Sequence, residues 1–156
     1  MNDAQYMRLA IAKAREGIAA GQTPFGACLV KADRVIVCAH NVVWASLDST
    51  AHAEVQTIRD ACAALKTIDL SGCVLYSTCE PCPMCFSAAH WARLARIVYG
   101  AEIADARRAG FHELTISNLT LKQLGGSPVE LTEGLLREEC LALFDVWAKR
   151  PDRRTY

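Results

Sequence analysis

His52 and Glu54 stand two positions apart, and Cys82 and Cys85 stand three apart, with Pro81 and Pro83 flanking the first thiol. One imidazole and two thiolates make three zinc ligands, and a tetrahedral zinc with three protein ligands keeps its fourth position for water. Glu54 is then a spare carboxylate beside the metal, free for acid–base work. Zinc lowers the pKa of a water from ~15.7 toward ~7, which supplies a nucleophile at neutral pH. Together these residues read as a hydrolytic metal site in which Glu54 carries the protons. A helix starting at Pro81 places Cys82 and Cys85 in its first turn and on one face, where unpaired N–H groups favour thiolates. His52 falls at the start of another helix, after the candidate caps Ser49 and Thr50. In a regular helix interior His52 and Glu54 point to roughly opposite sides, so they converge on one metal only at a helix mouth.

Three blander readings compete. Cys79, Cys82 and Cys85 together resemble an iron–sulfur run, but that pattern wants a further cysteine, and positions 86–100 contain none. A closed structural zinc on Cys79, Cys82, Cys85 and His52 would leave Glu54 without a task. An isolated histidine is ordinarily a satisfied core residue; His52 beside Glu54 and upstream of a matching cysteine pair is not isolated. His40 and His90 read as structural or packing residues, and His112 adjoins a loop around Phe111-His112-Glu113. Cys28, Cys38, Cys62, Cys73 and Cys140 sit in apolar stretches and read as small core residues.

The elements that must position these groups follow from periodicity. Met7, Ala10, Ile11, Ala14 and Ile18 fall at helical spacing over residues 3–20, with Gly21 as a stop. Phe25 to Val30 and Arg34 to Ala39 read as a hairpin, and His52 to Leu65 as a helix. Cys73 to Ser77 and Arg96 to Tyr99 read as strands around the cysteine-bearing helix, which runs to about Trp91. Residues 101–126 carry a short helix, the Phe111-His112-Glu113 loop and a helical turn near Leu119 to Leu124. Pro128 to Leu131 is a last strand. Thr132-Glu133-Gly134 opens a final helix with Leu135, Leu136, Cys140, Leu143, Phe144 and Trp147 on its apolar side. Pro151 stops it. Strands alternating with helices predict a layered α/β domain with a mixed sheet.

Bulk properties narrow the partners. A chain of 156 residues with 52% hydrophobic content makes one globular domain that buries roughly 70% of its unfolded surface. Seventeen basic residues balance seventeen acidic ones, so no global charge draws it to nucleic acid. No apolar run reaches the ~18 residues of a membrane span, and no secretory signal opens the chain. The expectation is a cytoplasmic protein whose eight cysteines stay reduced, some of them on a metal.

The spacing of His52, Glu54, Pro81, Cys82 and Cys85 resembles the signature of zinc-dependent nucleobase deaminases. Most of the chain is similar to the purine-deaminating branch of the cytidine deaminase-like superfamily, bacterial guanine deaminases in particular. The matching segments are Pro24-Phe25-Gly26-Ala27, Asn41, Thr50 to Val55, Cys79 to Cys85, Trp91-Ala92-Arg93, Ala109-Gly110-Phe111 and the terminal Tyr156. The resemblance implies a three-layer α/β/α sandwich around a five-stranded mixed sheet. It implies a homodimer with exchanged C-terminal segments, so that residues 151–156 form a tail closing the active site. His52, Cys82 and Cys85 would bind Zn2+, and Glu54 would shuttle protons. Asn41 would hydrogen-bond a purine, Phe25 and Trp91 would line its ring, Ala53 would contact it, Glu113 would accept its N–H bonds and Tyr156 would close the pocket. The implied reaction is hydrolytic deamination: water adds to the ring carbon bearing the amine, and ammonia leaves.

Two departures open an alternative substrate. Guanine deaminases carry Asp where this chain has Glu113, and His112 replaces a second acidic residue. Residues 129–140 look more like the final strand and helix of bacterial tRNA adenosine deaminase. Lys149, Arg150, Arg153 and Arg154 could then serve as an RNA platform. A non-catalytic zinc module is the third reading, against which Glu54 and the open ligand set argue.

Overall fold

Asn2 starts the first helix with a reciprocal cap: Gln5 N donates to its side chain at 3.0 Å, and Asn2 N donates to the Gln5 side chain at 2.8 Å. That helix, α1 (Asp3–Ala19), buries Met7, Ala10, Ile11, Ala14 and Ile18, as their spacing predicts. Each buried Met or Ile contributes roughly 1.5–3 kcal/mol. The computed structural model describes residues 1–156. After α1 come β1 (Gly26–Lys31), β2 (Arg34–His40), α2 (Val43–Ser46), α3 (Ala53–Leu65), β3 (Cys73–Cys79) and α4 (Pro83–Trp91). The chain continues through β4 (Arg96–Ala101), α5 (Ile103–Arg108), α6 (Asn118–Gly125), β5 (Glu130–Thr132) and α7 (Arg137–Ala148).

The five strands form one mixed sheet in the order β2-β1-β3-β4-β5. The first three pair antiparallel, while β3, β4 and β5 run parallel. Alternation along β3 divides the two helical layers. Tyr76 donates its hydroxyl to Asp3 of α1 at 2.7 Å, and its neighbour Ser77 donates to Glu54 of α3 at 2.8 Å. Hence α1 covers one face of the sheet and α3 the other, with α4 packed beside α3. Two glycines let the α1-side layer sit close. A Cβ at Gly26 would run into the backbone of Ala10 and Ala14, and one at Gly100 into the Cys140 side chain of α7. Overpacking of this kind typically costs ~1–3 kcal/mol. No helix is long and apolar enough to cross a membrane.

Local differences from the sequence reading have simple causes. The cysteine-bearing helix starts at Pro83, with Cys82 as its N-cap, so Pro81 lies outside it. Either proline satisfies the preference for the first turn, and the second one takes it. His52 itself caps α3, while Thr50 is engaged by the Asp48 carboxylate and by Arg59. The last helix opens at Arg137 and not at residues 132–134, because Thr132 extends the parallel ladder opposite Val98. Gly134 and Leu136 then turn the chain with positive φ. Sequence periodicity gave no sign of α2, which is four residues long.

Candidate active site

α3 and α4 bring their N-termini together, and the two residues that cap them are His52 and Cys82. A capping side chain ordinarily accepts from its own helix. Neither of these does so, and both turn toward each other. His52 Nδ1 lies 3.6 Å from Cys82 Sγ and 3.5 Å from Cys85 Sγ, and the two sulfurs are 3.5 Å apart. A tetrahedral zinc, with bonds of about 2.3 Å to sulfur and 2.0 Å to nitrogen, would separate such ligands by about 3.5–3.8 Å. The donor set therefore fits zinc in both chemistry and spacing, and no other group of His, Cys, Asp and Glu side chains converges in this way. Cys79 stays apart: its thiol donates to the Glu102 carbonyl at 3.4 Å. The iron–sulfur and four-ligand readings both need that sulfur at the metal.

Electrostatics favour ligation. Contact with Cys85 and then with His52 outweighs burial and brings the Cys82 thiol down to about 4. Contact with Cys82, reinforced by burial, pushes the Cys85 thiol up. The pair thus favours a thiolate at Cys82, and zinc ligation requires both sulfurs as thiolates.

Glu54 resolves the convergence problem posed by its spacing. His52 is a cap with extended backbone (φ −63°, ψ 155°), whereas Glu54 belongs to the first helical turn. Their side chains therefore need not diverge by the helical angle. Glu54 is buried; Ser77 donates to Oε1 at 2.8 Å, and Cys85 Sγ approaches Oε2 at 3.5 Å. Burial raises its pKa, opposed chiefly by the nearby His52. A carboxyl held by one oxygen, with the other facing the ligands, is well placed to take and release a proton.

Two recesses adjoin the ligands. The outer one, of about 220 Å³, is lined by His52, Cys82, Met84, His112, Glu113 and Tyr156 among others. The inner one, lined by Phe25, Asn41, Glu54, Glu113 and Tyr156 together with the ligands, is almost filled. Asn41 is fully buried with its amide orientation fixed, because Val43 N–H donates to Oδ1 at 3.0 Å. Its Nδ2 therefore points inward, donating to the Tyr156 hydroxyl at 2.7 Å. Phe25 packs edge-on to Phe111 at 4.9 Å between ring centroids. Burial, and then the charge on Cys82, push the Glu113 carboxyl up to about 7.

The tail enters this site within its own chain. The Tyr156 ring lies 5.2 Å from His52 and 5.4 Å from Phe111, and His112 N donates to the Tyr156 carbonyl at 3.0 Å. Arg154 stacks over Trp44 of α2 at 4.3 Å. Two of the residues expected at the substrate line neither recess. Ala53 is fully buried at the first position of α3. Trp91, at the far end of α4, is 82% exposed and borders a separate groove with Ile68, His90 and Pro128. The helix that carries Cys85 at its mouth carries Trp91 away along its length.

Three supporting contacts leave little mark in the sequence. Ser77 orients Glu54, with only strand alternation to hint at it. Trp44 anchors the tail. Glu80 accepts from the N–H groups of Asn118 (2.8 Å) and Ile103 (3.2 Å), while Asn118 Nδ2 donates to the Pro81 carbonyl at 2.6 Å. That clamp holds the turn leading into the thiols. His40 and His90 take the structural roles expected of them, His40 donating to the Asn41 carbonyl and His90 contacting Ser127.

Residues 1–101 match the family model of the cytidine and deoxycytidylate deaminase zinc-binding region. The guanine deaminase of Bacillus subtilis (strain 168) is 39% identical over 157 aligned positions, covering 100% of both chains. The tRNA-specific adenosine deaminase of the same organism is 38% identical over 138 positions, 88% of this chain and 83% of that one. Among solved structures, a guanine deaminase from Nitrosomonas europaea superposes with a TM-score of 0.86 at 31% identity, covering 94% of this chain and 84% of that one.

Proposed function

This chain belongs to the cytidine and deoxycytidylate deaminase zinc-binding family and is a zinc-dependent hydrolytic deaminase; from that premise we propose that it acts on a free guanine-like base, converting guanine to xanthine. The observation that carries this reading is the position of Tyr156. Its side chain occupies the inner recess beside Asn41, and about 220 Å³ remains outside it. That is below the roughly 300–1,000 Å³ of drug-sized ligand pockets, and it suits a small heterocycle better than a base still attached to a polymer.

In this reading the metal, when bound to His52, Cys82 and Cys85, supplies an acidified water at neutral pH. Glu54 takes the water's proton and delivers it to the ring nitrogen next to the attacked carbon. It then moves a second proton to the departing amine, so that ammonia leaves and a carbonyl remains. Ser77 holds the carboxylate in line for both transfers. Asn41 Nδ2, released by Tyr156, donates to an acceptor on the base. Phe25 borders the ring, and Tyr156, moved outward from Asn41 into the outer recess to admit the base, covers it against bulk water.

Glu113 selects the base. Once deprotonated, the form that a donor edge of the base favours, the Glu113 carboxylate offers only acceptors, so it suits an edge rich in N–H donors, as guanine presents. A ring lacking that edge leaves the carboxylate unpaired, at a cost of ~1–3 kcal/mol. Glu113→Gln is therefore expected to reorder a panel of amino-heterocycles while leaving zinc content unchanged. A uniform fall across the panel, or none, would remove Glu113 from this role.

Transfer-RNA adenosine is the second reading, supported by the likeness to the tRNA-specific enzyme. The tail's cations favour it less than the sequence promises. Arg150 pairs with Asp152, Arg153 donates to the Arg150 carbonyl, and Arg154 is stacked on Trp44. Ammonia release from a purine panel, measured beside a tRNA substrate, separates the two readings.

The tail itself gives a further prediction. Deleting Thr155 and Tyr156 is expected to lower activity on the free base sharply, with zinc content and thermal midpoint nearly unchanged. In a homodimer with exchanged tails the same contacts would form between two copies, and the deletion would act on the neighbouring site. Unaltered kinetics in the truncated protein would return the tail to solvent and shift weight to tRNA.

A further inference from the structure

Cys28 and Cys38 face each other directly across the β1–β2 hairpin. Their sulfurs are 2.7 Å apart. Neither takes part in the metal site: Cys28 is opposite Tyr76, on the sheet face covered by α1, whereas Glu54 and Ser77 lie on the other. Both thiols sit in apolar stretches of the sequence. Cys28 is fully buried, but Cys38 is only half-buried, at the rim of α1.

We propose that Cys28 and Cys38 form a reversible cross-strand disulfide site, closed by exchange with a small-molecule disulfide. Directly opposed residues of an antiparallel pair have Cα atoms about 4.5–5.5 Å apart. A disulfide needs about 4.4–6.8 Å, so the bridge closes without moving the backbone. The accessible Cys38 makes the first attack. Its contact with Cys28, and then the Lys13 ammonium, favour its thiolate, while that contact and burial keep Cys28 protonated. Cys38 thiolate displaces one half of the small disulfide as a thiolate, giving a mixed disulfide. Cys28 sulfur then attacks Cys38 sulfur and expels the second half, which leaves with the Cys28 proton. Two protein thiols are oxidised to one disulfide, and the small disulfide is reduced to two thiols. The bridge lies three positions from Phe25 along one strand and three from Asn41 along the other, so it clamps the end of the hairpin that borders the inner recess.

The test uses zinc-loaded full-length protein, in which Cys82 and Cys85 are protected as ligands. Incubation with oxidised glutathione, blocking of free thiols and tryptic digestion without reductant should link peptide 16–31 to peptide 35–59, with the loss of two hydrogens. A dithiol should restore both peptides, and C38S should abolish the link while still folding and holding zinc. Both thiols remaining alkylatable, a stable glutathione adduct on Cys38, or a link from Cys38 to any other cysteine would each overturn the proposal.

Discussion

Cys82→Ala protein is expected to be purified with almost no zinc and to release no ammonia above background. The wild type should hold about one zinc per chain, because three ligands leave the fourth position open. Removing Cys82 leaves His52 and Cys85 as the only members of the converging set, and the nearby Glu54 is a hard oxygen donor already engaged by Ser77. It also removes the thiol that contact with Cys85 and His52 favours as a thiolate. Cys79→Ser is the matched control: its sulfur faces the Glu102 carbonyl, so zinc should be retained. The thermal midpoint of the wild type should fall on chelation, while that of Cys82→Ala should not respond, since a ligand stabilises only the protein that binds it. Full zinc content in Cys82→Ala would mean that the ligand set is wrong.

Glu54→Gln should keep its zinc and its fold and still lose most turnover. General acid–base catalysis by a positioned group contributes ~10²–10⁴-fold, and Glu54 has more than one transfer to perform. Glutamine preserves the volume of a buried residue and can still accept from Ser77 through its carbonyl oxygen. It cannot take a proton from water. A loss confined to kcat, with KM little changed, would fit a group that acts on the reacting atoms and not on ground-state binding. Ammonia release near the wild-type rate would remove Glu54 from the mechanism. Ser77→Ala tests the support beneath it: a smaller loss is expected, because the carboxylate remains but is no longer held.

Much of this site was legible in the residues themselves. Thiol, imidazole and carboxylate chemistry is local, so His52, Glu54, Cys82 and Cys85 could be grouped by type and spacing before any fold was known. Helical periodicity likewise fixed the buried face of α1, because a 3.6-residue repeat leaves its mark in the order of the side chains. The alternation of strands and helices gave the layered α/β class, and resemblance gave the five-stranded sheet.

Tertiary structure decided what spacing could not. Whether His52 and Glu54 converge depended on His52 being a cap and not a helical residue, and a cap is fixed by how the preceding loop packs. Which proline opened α4 was open locally, since both satisfy the same backbone preference. Trp91 shares a helix with the metal thiol, but the helix axis carries it out of the recess, which a match of short segments does not reveal. Tyr156 reaches His52 and Asn41 across more than one hundred residues of sequence. No local pattern encodes such a contact, because it arises only when α2, the Phe111 loop and the tail close on one another.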